Sequence, residues 1–318
     1  MWISGWVRVP SWVPLALGMW IWTVMAAALL LSRGARVIAV NVGLILAAVT
    51  ALECYVLYTD KVDHLTRERD SYQRTNPGSI PYGRRYHVFH PVYGYGPPKD
   101  IKVRSIRNKH GEPIFDVEYT IDSNGLRTSP PADPSSKNAI LIYGGSFAFG
   151  EGVEDHQTFP NVLCDALHRH YWVYNFAFHG YGPHQMLRGL EVGAERQIIG
   201  KRRPSHLVYL ALPDHVGRVA GTIGWGKGAP QYQLDTNNDV NYRGPFWPIW
   251  WVKVDSLLRA SAIYSFARHR LVVDGMAPTN RDIATYVEII RKAKRICDER
   301  YGASFIVLSW DYTDNQGF

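Results

Sequence analysis

The chain has 318 residues, 46% of them hydrophobic and 20% charged, with a formal charge of +7. That length allows one sizeable α/β domain with additions. The basic residues are scattered and accompany no nucleic-acid motif, so nucleic acid is excluded as an expected partner. The densest group, Lys201-Arg202-Arg203, falls between a predicted helix and a predicted strand and reads as a solvated helix end favoured by the helix dipole. Three cysteines, Cys54, Cys164 and Cys297, lack metal or redox spacing, so neither a disulfide framework nor a zinc site is indicated.

The first sixty or so residues do not read as globular. Trp12 to Leu31 is free of charge, and Val37 to Tyr58 carries only Glu53. Each is long enough to cross a hydrocarbon core of about 30 Å. Trp2, Trp6, Trp12, Trp20 and Trp22 at one end, with Tyr55 and Tyr58 at the other, suit interfacial aromatic belts. The apolar run is too long for a cleaved signal peptide, and a second follows. A transmembrane helical hairpin over 1–60 is the expectation. Arg33 and Arg36 in the short connecting loop favour a cytoplasmic loop and hence an extracytoplasmic, periplasmic-type domain. Arg8 before the first span, with Lys61, Arg67 and Arg69 after the second, count the other way.

Residues 61–137 read as a juxtamembrane stalk and a small β-rich segment. Asp60 to Thr75 is charged, and Asn76 to Asp100 is rich in Pro, Gly and Tyr. Ile101–Ile106 and Ile114–Ile121 alternate around a Gly-containing link, the pattern of a β-hairpin. Pro130, Pro131 and Pro134 mark a linker. From Ala139 a strand–helix rhythm begins. Strands are predicted at Ala139–Tyr143, Trp172–Phe176, His206–Leu212 and Ser304–Trp310. Helices are predicted at Phe159–His168, Gln185–Ile199, Val252–Arg268 and from Thr279 or Asn280 to about Arg300. Such alternation implies a parallel sheet covered on both faces. Within an irregular insertion, Gln231–Leu234 and Val240–Arg243 flank Asn237-Asn238-Asp239 as a second hairpin.

Three pieces that can carry chemistry fall at the ends of successive strands. Gly144-Gly145-Ser146-Phe147 follows a strand buried on both faces, where open α/β sheets place their ligands. Asn175 to Gly182 reads Asn-Phe-Ala-Phe-His-Gly-Tyr-Gly, and the third piece is Leu212-Pro213-Asp214-His215. Together they resemble the SGNH (GDSL-type) hydrolase superfamily over Ala139 to about Asp311. The resemblance implies a flavodoxin-like parallel sheet in a three-layer α/β/α domain over 138–318. It implies Ser146 as nucleophile, with its own N–H and that of Gly180 in an oxyanion hole. The third donor is an Asn in the family, and that position falls on Asp214. No cofactor is implied.

Two departures bear on the chemistry. Gly145 stands where the family has Asp. Asp214 cannot, when ionised, donate to an oxyanion and would repel it. Three resolutions stay open: Asp214 is protonated, His215 or Gln185 takes over, or the alignment is offset by one. The family's D-x-x-H base element has no counterpart, since Asp311 and Asp314 follow Ser304 but no histidine does. A serine without a base is a poor nucleophile. The accounts are a truncated chain, an inactive relative, or recruitment of His156, His179, His184 or His215. Truncation leads to the expectation of an exposed apolar strip beside Ser304–Trp310 and of little esterase turnover. The phosphate-loop spacing of Gly221 to Lys227 is set aside, because Gly228 replaces the Mg²⁺-binding Ser or Thr.

The expected function is a serine esterase at a membrane surface, acting on ester bonds, glycan O-acyl groups among them. Trp225, Tyr232, Phe246 and Trp247 are candidate sugar-stacking aromatics, so an acylated carbohydrate or another ester is the expected substrate. The alternatives are an O-acyltransferase using the same residues, and a catalytically incomplete glycan-binding or polysaccharide-assembly subunit.

Overall fold

The computed structural model describes residues 33–68, 79–81, 86–109, 112–223, 226–258, 261, 263–264 and 277–309. The chain divides into two compact units, Met1–Arg69 with Lys253–Asp274, and Asp70–Val252 with Gly275–Phe318.

In the first unit, α1 (Arg33–Glu68) is a single helix of 36 residues. It takes in the whole of Val37 to Tyr58 and runs on through a charged turn, because no Pro interrupts the sequence before Glu68. The first expected span, Trp12 to Leu31, lies outside the described residues. Among the described residues no helix is long and apolar enough to cross a membrane, so the expected pair of spans is not what they show. Val37, Ile38, Val42, Leu44, Ile45, Val49, Leu52 and Tyr55 are nevertheless exposed along α1. Its polar side chains turn back on the helix: the Asn41 amide donates to Val37 O and the Thr50 hydroxyl to Leu46 O, each at 2.8 Å. The Glu53 carboxylate accepts from the Ser261 hydroxyl and, at 3.1 Å, from the Ile263 N–H.

The second unit begins with short strands, β1 (Ser79–Pro81), β2 (Val88–His90) and β3 (Gly94–Gly96). The predicted hairpin follows as β4 (Ile101–Lys109) and β5 (Glu112–Ile121), antiparallel, with a register shift between Arg107 and Asn108. Alternation decides its buried face: Val117, Tyr119 and Ile121 point inward. The Asp122 carboxylate then accepts from the N–H groups of Asn124 and Leu126, at 2.8 and 2.9 Å, and closes the turn that leads on.

The αβ part runs β6 (Asn138–Tyr143), α2 (Ser146–Phe149), α3 (Phe159–Ala166), β7 (Trp172–Asn175), α4 (Pro183–Val192), α5 (Ala194–Ile199), β8 (Arg203–Ala211) and α6 (His215–Ala220). A hairpin, β9 (Pro230–Leu234) and β10 (Val240–Pro245), is followed by α7 (Ile249–Leu258), α8 (Asn280–Tyr301) and β11 (Ser304–Ser309). The strands assemble in the order β11-β8-β6-β7, every neighbouring pair parallel. Successive residues of β6 feed opposite faces. Leu141 and Tyr143 pack with Leu187, Leu190, Ile289 and Ala293 of α4 and α8. Ile140 and Ile142 pack with Phe149, Cys164 and the inward face of β5. The sheet is thus covered on both sides, the mixed α/β architecture expected.

The predicted helix Gln185–Ile199 is two helices, because Gly193 takes a left-handed conformation (φ +68°) that caps α4. The predicted helix Val252–Arg268 starts earlier, at Ile249, and its residues beyond Tyr264 lie outside the described residues. At the far edge of the sheet, Ile306, Val307 and Leu308 of β11 are exposed, the apolar strip expected there, while Trp310 is not among the described residues.

Candidate active site

The carboxyl ends of β6, β7 and β8 bring the three sequence blocks to one edge of the sheet. After β6 the chain turns at Gly144 and Gly145 into α2, whose first residue is Ser146. Position 144 requires glycine, since an added Cβ would stand 2.7 Å from Ala148 Cβ. Ser146 is half-buried, and its own N–H, the first of α2, has no hydrogen-bond partner among the described residues. The turn is stapled to the next strand by Asn175 (1% exposed). Its amide donates to Ala148 O and Phe149 O at 3.2 and 3.4 Å, and its side-chain oxygen accepts from Ala177 N–H at 3.1 Å.

Gly180 takes a left-handed conformation (φ +75°) in a turn closed by Tyr181 N–H donating to Phe178 O at 3.1 Å. Its N–H is likewise unused among the described residues, as an oxyanion donor's would be. The following residue reaches the nucleophile turn directly: Tyr181 O lies 3.2 Å from where a Cβ on Gly145 would stand.

The third block differs from the sequence expectation in an instructive way. Asp214 is exposed at the start of α6, and its carboxylate makes no capping hydrogen bond. The residue that turns inward is the next one. His215 is fully buried, its Nδ1 bonded to the Tyr209 hydroxyl at 2.5 Å. Its Nε2 lies 3.2 Å from the Cβ position of Gly145 and has no hydrogen-bond partner among the described residues. Three residues on, Arg218 (7% exposed) comes from the same helix face. Its Nη1 donates to Tyr181 O at 2.5 Å and stands 2.5 Å from that Cβ position. An Asp at position 145 would therefore occupy space that Arg218 and His215 fill. His184 completes the cluster, with its Nδ1 beside Gly182, where an added Cβ would meet it at 3.0 Å. Gln185 accepts from Gly182 N–H at 2.8 Å through its side-chain oxygen. Among the described residues the His184 Nδ1 and the Gln185 amide nitrogen have no hydrogen-bond partner.

Burial, then the Arg218 charge, hold the His184 imidazole down at about 3. Burial, Arg218 and His184 push His215 well below its usual range. Both rings are therefore neutral near pH 7. Of the other candidate histidines, His156 is exposed on the turn Asp155–Gln157. His179 is buried, with its Nδ1 3.3 Å from the Glu151 carboxylate; burial lowers it while Glu151 opposes the shift. Glu151 itself follows α2, and its N–H donates to Ser146 O at 2.9 Å.

Sequence reasoning did not find Arg127, which fixes the far end of the same turn. It is 2% exposed. Its guanidinium donates to Asp155 at 2.9 Å, Phe149 O at 3.1 Å, Val153 O at 2.6 Å and Gly150 O, and it lies 4.4 Å over the Tyr119 ring. The sugar-stacking reading fails for Tyr232, a core residue whose hydroxyl donates to Glu191 at 2.6 Å. Lys227, the lysine of the phosphate-loop spacing, lies 4.4 Å over the Trp247 ring, and Trp225 is outside the described residues.

No family model and no curated protein matches this sequence. Among solved structures the chain is similar to AlinE4, an SGNH-hydrolase family esterase, at 14% identity over 55% of this chain and 77% of that one, with a TM-score of 0.25. It is also similar to the psychrotrophic esterase EstA from Pseudoalteromonas sp., at 15% identity over 54% and 78%, with a TM-score of 0.24. A third is an acetylxylan esterase from Geobacillus stearothermophilus, at 14% identity over 54% and 75%, with a TM-score of 0.25. Likeness at that level carries no functional conclusion, which has to come from the site.

Proposed function

We propose that this chain is an SGNH-type serine hydrolase of ester bonds. The observation that carries the reading is the convergence on one turn of Ser146, the Gly180–Tyr181 main chain and the buried His215. Ser146 Oγ would attack the acyl carbonyl and pass its proton to His215 Nε2, the imidazole nearest the turn. The N–H groups of Ser146 and Gly180 would face the oxygen that gains charge. Collapse of the tetrahedral species expels the alcohol, which regains the proton, and water repeats the sequence on the acyl-enzyme. Tyr209 fixes the imidazole from its other nitrogen, the orienting role of a triad's third member.

The test is hydrolysis of p-nitrophenyl acetate by the full chain. Ser146→Ala is expected to lower turnover by about 10³ or more. Equal turnover in the two proteins, or none in the wild type together with no Ser146 adduct from a fluorophosphonate, ends the hydrolase reading and leaves a binding role.

Membrane anchoring with an extracytoplasmic catalytic unit belongs to the same proposal. It is supported by the apolar side chains exposed along α1 and by Asn41 and Thr50 satisfying themselves on its backbone. A C-terminal alkaline phosphatase fusion should be active; an inactive fusion, with a fluorescent-protein fusion bright in the cytoplasm, reverses the orientation. An acylated carbohydrate is proposed as the substrate on the grounds of that location alone.

A further inference from the structure

Arg218 presents a problem that the serine-hydrolase reading does not by itself resolve. It is a buried cation, and among the described residues no carboxylate lies within ion-pair distance of it. Asp214 and Glu151 act on it only from further away. Among the described residues its Nη1 has one acceptor, Tyr181 O, and its Nε has none. A guanidinium keeps its proton under all ordinary conditions, so the charge cannot be shed. An uncompensated buried charge costs several kcal/mol, and the fold makes room for this one. Gly145 and Gly182 both lack the Cβ that would collide with the cluster; on Gly182 it would meet His184 at 2.9 Å and Arg218 Cβ at 3.4 Å. The titratable side chains that feel its charge most include the imidazoles of His215 and His184 and the phenols of Tyr95 and Tyr209, none of them a carboxylate.

We infer that Arg218 is the charged oxyanion group of this site, held against Gly145 so that its guanidinium meets the negative oxygen formed when Ser146 attacks. This inference rests on the hydrolase reading above. In the step concerned, the Ser146 Oγ–C bond forms, the carbonyl π pair moves onto oxygen, and the seryl proton goes to His215 Nε2. The guanidinium gains a full counter-charge only at that moment. Stabilisation that appears in the transition state and not in the ground state is what accelerates a reaction. It also accounts for Asp214: with a cation one helical turn later, no amide donor is needed at that position. Position favours the oxyanion over a fixed anion on the substrate, because the contact is with the residue immediately before the nucleophile.

The test compares wild type with Arg218→Gln and Arg218→Lys, using p-nitrophenyl acetate and phenylboronic acid, whose adduct on Ser146 is a tetrahedral anion. For Arg218→Gln, kcat should fall about 10²–10³-fold with KM changed less than about threefold. The inhibition constant for the boronate should rise by a similar factor, and Arg218→Lys should recover part of both. Arg218→Gln could fail to fold, since the guanidinium ties down Tyr181. Gly145→Ala serves then, because its Cβ would stand 2.5 Å from Nη1 and displace it without removing it; the same split is expected. Unchanged boronate affinity in both variants overturns the inference, as does a rise in KM confined to anionic esters with kcat preserved, which would make Arg218 a substrate-carboxylate clamp. Activity abolished by Ser146→Ala but indifferent to Arg218 refutes this inference alone. A wild type with neither turnover nor boronate adduct refutes the hydrolase reading and this inference with it.

Discussion

Two buried arginines flank the Ser146 turn, and they have opposite surroundings. Arg127 donates to a carboxylate and three main-chain carbonyls and lies on an aromatic face. Arg218 has a single carbonyl and no carboxylate within ion-pair distance among the described residues. The first arrangement is what a fold does with a buried cation whose task is to hold a loop: every nitrogen finds an oxygen. The second leaves donor capacity pointed at the reacting turn. Satisfaction marks the structural arginine, and its lack marks the chemical one.

The comparison is broken most directly through stability. Arg127→Met takes the guanidinium away from Asp155 and from the carbonyls of Phe149, Gly150 and Val153, and losing one partner of a buried pair costs about 3–5 kcal/mol. Urea unfolding should register that loss as a lower midpoint with an unchanged slope. Arg218→Gln should cost less than half as much, because it removes an uncompensated charge along with one hydrogen bond. Equal losses in the two variants would mean that both arginines are structural.

Acid pH sharpens the contrast, with a smaller effect. His184 and His215 stay neutral in the folded state below the pH at which free imidazoles protonate, near 6.5. The unfolded chain then binds protons that the folded chain does not, so stability falls as pH drops below 6.5 and is unaffected above it. Each histidine contributes a slope of up to about 1.4 kcal/mol per pH unit in that window. His184→Gln and His215→Gln should each flatten the stability profile between pH 6.5 and 4.5. The same displacement should place the acid limb of kcat/KM well below 6.5. A limb at or above 6.5 would mean that another group is the base.

What was legible in the sequence follows from the range of the interactions. Alternation along Ile114–Ile121 and the apolar run Ala139–Tyr143 are local patterns, and they became β5 and β6. Thr279 and Gly302 announced both ends of α8, because caps are read from single residues. Gly193 gave the same signal for the end of α4 and was passed over in favour of one longer helix. The arginines were not legible. Arg218 sits on α6, a six-residue helix that the sequence pattern does not predict, and Arg127 follows the turn around Gly125. Only the tertiary fold shows that one reaches Gly145 and the other Gly150. In the third block the sequence pattern singles out position 214, and the buried side chain lies one residue later. The inward-facing side chain is His215, because Asp214 opens α6 on its exposed side.

That one-residue offset leads to the smallest predicted effect, and to a check on the whole comparison. If the oxyanion relied on an amide at position 214, as the family pattern implies, Asp214→Asn would restore a missing donor and raise kcat by tenfold or more, since one such donor is typically worth about 10²–10³. On the geometry found here it should do little. Asp214 is exposed, and its carboxylate makes no hydrogen bond into the cluster. The remaining influence is its distant attraction for Arg218, which water and salt screen at an exposed site. The expected change in kcat is therefore less than about twofold, with a slight increase favoured because Arg218 loses a competing anion. Raising the salt concentration should erase even that difference. A large gain in Asp214→Asn would show that the site still wants its amide and that Arg218 is not its replacement.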